Sequence, residues 1–331
     1  AMIQMQSNMR PYPVLRLNDA ITEAMSKVKS IDIPGGITTG LDPEIHPYPG
    51  DEYGPISEIA DIDKRPTDGM HYVSLSPAYA QLVWLLCDIA FRIHESVAIQ
   101  AEFEQFGDKE KEQFLSHLND SNEVSRYIQE LINWEAVLRY CADSTNRIIA
   151  LFNERTSETE MNELYGYDMT SGIGTRVNAI YTYGMTFILL HEFSHHRLGH
   201  DIQTDGSVAE EMEADQSAFW SMYSDLEDKE KRTAMRGILC ALVSLLFLNR
   251  NLEDDGVHQR PVERIFTYYD LLQSEEEDYA PLLCYLLYAW AVFAGDDDMP
   301  KLYENKNYTE ALEKMEAHLM ELEKRQDMKA V

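Results

Sequence analysis

The sequence predicts a mainly α-helical protein, and three observations carry that prediction. From Pro77 onward, apolar residues recur at helical spacing through long segments. Only one run, His71 to Ser76 (HYVSLS), alternates as a strand does. Proline and glycine cluster in residues 1–70, in PYP, IPGG, HPYPG, GPI and RPTDG, where irregular structure is expected.

Taken in order, the first segment holds one expected short helix near Asp19 to Lys29, then the HYVSLS strand. A helix follows from Pro77 to about Phe103, and a short one from Lys109 to His117. Ser121 or Asn122, in the NDSNE cluster, caps a helix running to about Glu154. The polar stretch ERTSETEMNELYGYDMTSGIG then separates a front region, residues 1–155, from a motif-bearing region, residues 156–331; the two can form one compact unit. Val177 to Leu198 reads as a helix stopped by Gly199. Ser207 caps a helix to Ser224 whose first turns are acidic, as the helix dipole favours. Further helices are expected at Lys229 to Asn249, Pro261 to Gln273, Tyr279 to Ala294 and Thr309 to Arg325. Pro261 suits a first helical position.

Composition excludes several classes of partner. The formal net charge is −30, from 58 acidic and 28 basic residues. Such a surface repels a phosphate backbone, so no nucleic-acid partner is expected. The apolar runs Ile238 to Leu248 and Leu282 to Ala294 fall short of the roughly 20 residues that cross a bilayer, so both are expected as core helices. Cys87, Cys141, Cys240 and Cys284 form no CxxC pair and lie in apolar surroundings, which suits free thiols in a reducing compartment. The opening AMIQMQSNMRPYPVL has no long apolar segment behind a basic patch, so a secretory signal is not expected and the cytoplasm is.

The chemistry concentrates in two segments. HEFSH, His191 to His195, places two imidazoles four apart on one helix face, within reach of one metal ion. Glu192 sits between them, positioned to take a proton from a metal-bound water. EMEAD, Glu211 to Asp215, follows on the next helix. A zinc-bound histidine usually gives its other ring N–H to a carboxylate. Of Glu210, Glu211 and Glu213, only Glu211 has a second carboxylate four residues on, at Asp215. Glu211 is therefore the expected third ligand and Asp215 the partner of a histidine. Three protein ligands and an open fourth position describe a catalytic Zn2+ site. A three-histidine pattern, HExxHxxGxxH, is not met: Leu198 and Asp201 occupy the glycine and last histidine slots. His196 is expected to face solvent. His200 reads as a cation at the helix C-terminus, with a place behind the metal ligands as the alternative.

HEFSH with EMEAD resembles the gluzincin peptidases, in which HExxH is followed by ExxxD on the next helix. His258 to Ile265, HQRPVERI, is similar to a segment of the CAAX prenyl endopeptidase and HtpX-type families, with His258 and Arg264 at the matching spacing of six. In those families the histidine helps hold the substrate carbonyl in the transition state. Here proline stands at Pro261 and does not directly follow His258. A loop donor aimed at an oxyanion suits that role on physical grounds as well. Arg264 would anchor a carboxylate or substrate, or be an ordinary residue of a helix N-terminus. LLHEFSHHRLGHD resembles the phage-exclusion Lit-type peptidases over residues 180–270. That resemblance implies a helical, zincin-like peptidase acting on host proteins during phage infection. The expectation is a zinc-dependent endopeptidase with a protein or peptide substrate; the alternative is a helical interaction protein with a structural or inactive zinc site. HYVSLS is expected as an edge strand for an extended substrate.

Overall fold

The computed structural model describes residues 41–47, 60–64, 71–118, 123–153, 172–200, 207–224, 226–249, 260–272, 278–301 and 307–330, with a few isolated positions besides. Helix dominates. Three strands precede it: β1 (Leu41–Pro47), β2 (Ala60–Lys64) and β3 (His71–Leu75). The helices are α1 (Pro77–Gln105), α2 (Asp108–His117), α3 (Glu123–Ile132), α4 (Trp134–Asn153), α5 (Gly172–Leu198) and α6 (Val208–Tyr223). They continue as α7 (Asp228–Leu248), α8 (Pro261–Leu272), α9 (Ala280–Ala294) and α10 (Tyr308–Ala330).

Two corrections to the expected elements have clear causes. The segment expected to be irregular contains β1 and β2, which flank β3 in the order β1-β3-β2. β1 runs parallel to β3 and β2 antiparallel. HYVSLS is thus the central strand, paired on both sides, and β2 is an edge. The single helix expected to reach Glu154 is two helices broken at Asn133. The Asn133 side chain accepts from Ala136 N at 3.3 Å, capping α4 as asparagine does at a helix start. Of the short helix expected at Asp19 to Lys29, Ala20, Ile21 and Ala24 are helical; the rest lies outside the described residues, as does most of the polar stretch after Glu154.

The chain divides into two compact units, each drawn from both sides of residue 155. The first comprises residues 1–84 and 150–238 and holds the sheet, α5, α6 and the first half of α7. Val177, Ile180, Tyr181, Met185, Phe187 and Leu189 of α5 are buried in it. α5 and α7 cross at two glycines. A Cβ added at Gly184 would lie 2.7 Å from Gly237 O, and one at Gly237 would lie 2.7 Å from Gly184 N. No side chain fits there, so glycine sets the closeness of the crossing. β2 lies beside α5.

The second unit comprises residues 85–149 and 239–331. Both apolar runs are buried in core helices here, as expected, Ile238 falling at the boundary of the first unit. Trp290 Nε1 donates to Leu246 O at 2.8 Å, and Phe247 meets Phe293 with ring centroids 5.1 Å apart. α10 packs on α8 and α9. Among the described residues no helix is long and apolar enough to cross a membrane.

Candidate metal centre

α5 and α6 pack together within the first unit and carry the site. α6 begins with a capping box. Ser207 Oγ accepts from Glu210 N at 3.3 Å, and Glu210 Oε2 accepts from Ser207 N at 2.8 Å. The Glu210 side chain is thereby committed to the helix end. Glu211, one residue on, turns inward and is 6% exposed; Asp215, one helical turn later, is 1% exposed.

Three side chains converge. His191 Nε2 and His195 Nε2 are 3.1 Å apart. Glu211 Oε2 lies 3.3 Å from His191 Nε2, and Glu211 Oε1 lies 3.3 Å from His195 Nε2. Tetrahedral zinc with ligand bonds of about 2.0–2.1 Å sets its ligand atoms about 3.3–3.4 Å apart. The spacing and the two-nitrogen, one-oxygen donor set fit that ion. The His191, His195 and Glu211 ligand atoms form the one such metal-capable group among the described residues.

The electrostatics follow from burial opposed by close partners. Burial by itself would push the His191 imidazolium down, but hydrogen bonds to Asp215 and Glu211 overcome it and raise the pKa to about 9. Burial would likewise raise Glu211; His191 and His195 reverse that and hold its carboxyl well below the usual carboxylate range. A cluster that retains a proton this strongly also attracts a cation, and a metal ion would displace the proton on binding. Glu192, half-buried on α5, contributes to raising His191, so its carboxylate stands near the same ring.

The second carboxylate stands where the spacing placed it. His191 Nδ1–H donates to Asp215 Oδ1 at 2.8 Å. Glu213, the third acid considered as a ligand, instead extends outward, 3.4 Å from His200 Nε2. His200, past the end of α5, has its Nδ1 3.0 Å from His195 Nδ1, which is the alternative place behind the site. His196 is half-buried. Arg264 lies on α8 in the second unit, 7% exposed, with its backbone N bonded to Arg260 O in the first turn. His258 lies outside the described residues.

The clamp that fixes α5 against α6 was missed in the sequence. Ser194 Oγ donates to Leu190 O at 2.7 Å, and Ser217 Oγ lies 3.1 Å from Ser194 Oγ, able to donate to it. Arg197 reaches Ser217 Oγ, and Ser221 Oγ at 3.3 Å. Small residues Ser194, Ala214, Ser217 and Ala218 between two motif helices were the available signal, because small side chains let helices approach.

The profile of the family described as Peptidase U49 matches residues 73–286, about two-thirds of the chain. The protein belongs to the Peptidase U49 family, a peptidase family, and its substrates are proteins or peptides. No curated protein and no solved structure matches the chain.

Proposed function

We propose that the protein is a zinc-dependent endopeptidase of the gluzincin type, with His191, His195 and Glu211 as metal ligands and Glu192 as general base. The observation that carries this reading is the convergence of those three side chains, the two Nε2 atoms 3.1 Å apart and each 3.3 Å from one Glu211 oxygen, with Asp215 behind His191. Zinc held there supplies Lewis acidity, which makes water a nucleophile near neutral pH. Glu192 accepts the proton of the attacking water and returns it to the leaving amine nitrogen. Asp215 fixes the His191 tautomer so that Nε2 keeps its lone pair for the metal.

An extended substrate pairs with β2, the edge strand beside α5. His258 donates to the oxyanion of the tetrahedral intermediate, and Arg264 anchors a carboxylate. The four cysteines are buried and free, which agrees with a cytoplasmic protein. The Lit-type resemblance of LLHEFSHHRLGHD extends the reading to host-protein cleavage triggered by phage infection.

Glu192→Gln tests the mechanism. The variant should bind zinc as wild type does and lose about 10²–10⁴ in kcat/KM. Retained cleavage would eliminate Glu192 as the base. For the trigger, cleavage should appear only after phage protein or infected lysate is added; constitutive cleavage of casein counts against it.

A further inference from the structure

We propose that His200 is a positioning residue for His195, linking it to Glu213. This rests on the zinc reading above and assigns what holds the second imidazole ligand. His191 has Asp215 behind it at 2.8 Å. Among the described residues, His195 has no carboxylate in the equivalent place. Its Nδ1 instead faces His200 Nδ1 at 3.0 Å, and His200 Nε2 lies 3.4 Å from Glu213 Oε2. The His195 and His200 rings meet edge to face, with centroids 5.1 Å apart, and the His200 side chain is only 10% exposed.

The backbone builds this arrangement. α5 ends at Leu198, and Gly199 takes φ +73°. His200 N then donates to His195 O at 3.0 Å, and Gly199 N donates to His196 O at 3.3 Å. This paired bonding is the Schellman ending, which folds the second residue past the helix back onto the last turn. A Cβ at Gly199 would meet nothing within 4 Å, so left-handed backbone, not space, is what calls for glycine. The ending returns His200 to the residue that carries the ligand.

The hydrogen positions form one consistent chain. His195 Nε2 faces His191 and Glu211, so as a ligand it carries its proton on Nδ1. That N–H donates to His200 Nδ1, which leaves the His200 proton on Nε2, facing the Glu213 carboxylate. His200 therefore stands on the far side of the His195 ring from the ligand nitrogen and does not itself ligate. An exposed end at Glu213, 66% accessible, makes the second link weaker than the first.

The test is zinc affinity, measured by chelator competition, on wild type, His200→Ala and His200→Gln. It is read beside the melting temperature of each metal-free protein and the visible spectrum of each cobalt-loaded one. His200→Ala should weaken zinc about 10- to 100-fold and shift the cobalt bands, with the metal-free melting temperature unchanged. Glutamine can accept from His195 and donate to Glu213, so His200→Gln should recover most of the affinity. Zinc-binding wild type with undiminished affinity in His200→Ala overturns the role of His200 alone. So does a loss that tracks the metal-free melting temperature and is not rescued by glutamine. Wild type that takes up no zinc overturns the zinc reading and this inference together.

Discussion

His191 donates from Nδ1 to Asp215 Oδ1 at 2.8 Å, and this bond decides which face of the ring is left for a metal. Asp215 is 1% exposed, so it is held by packing as well as by the imidazole. Asp215→Asn keeps the shape but offers a neutral partner. It should lower zinc affinity about 10- to 100-fold, measured by chelator competition. Unchanged affinity would remove Asp215 from the site's support.

His258→Ala should lower kcat about 10²–10³-fold if this histidine donates to the oxyanion. Zinc content should be unaffected. Steady-state kinetics on one peptide substrate separates the cases, because an unchanged kcat removes His258 from the oxyanion role.

Gly237→Ala sets two effects against each other. Alanine favours an isolated helix by about 1 kcal/mol. Its Cβ, however, would meet Ile180 O and lie 2.7 Å from Gly184 N, backbone atoms of a packed helix that cannot rotate away. Overpacking costs about 1–3 kcal/mol, so the variant should be destabilised, with a lower urea midpoint. A raised midpoint would contradict the close crossing of α5 and α7.

How much of this was legible in the sequence depends on whether the signal was local. Ser207 with Glu210 announces a capping box, and Glu211 with Asp215 lie one turn apart on a helix, so the convergence of His191, His195, Glu211 and Asp215 could be read residue by residue. β1 and β2 could not. Pro43 and Pro47 mask β1, which tolerates them as an edge strand, and β2 carries Asp61 and Asp63, poor strand formers. The Asn133 break was hidden because α3 and α4 carry uninterrupted apolar periodicity around it. For His200 the sequence left two places open, a cation at the helix end or a group behind the ligands, because spacing alone does not show that a Schellman ending returns it to His195.

Asp88 supplies a pH signature far from His191, His195 and Glu211 in sequence. It is fully buried; Tyr140 Oη donates to Oδ2 at 2.5 Å, and Arg92 Nε lies 3.8 Å from Oδ1. Burial raises its pKa above the ordinary 3.8, with Arg92, Tyr140 and Arg147 opposing only in part. A raised folded-state pKa means the folded protein holds the proton more tightly than the unfolded chain. That stabilisation is complete below the unfolded value and is lost as pH rises through the folded one. The stability of wild type relative to Asp88→Asn should therefore fall as pH rises from about 4. Urea midpoints of both proteins across that range check it; a difference that is flat or grows with pH would contradict it.

Zinc stoichiometry is the most direct measurement of the central claim. Wild type purified with zinc present and then freed of excess metal should retain about one ion per chain, the number a single three-ligand site holds. His195→Ala should retain none, while its melting temperature matches that of metal-free wild type. Wild type without zinc, or His195→Ala with as much zinc as wild type, would contradict the assignment of His191, His195 and Glu211 as the metal site.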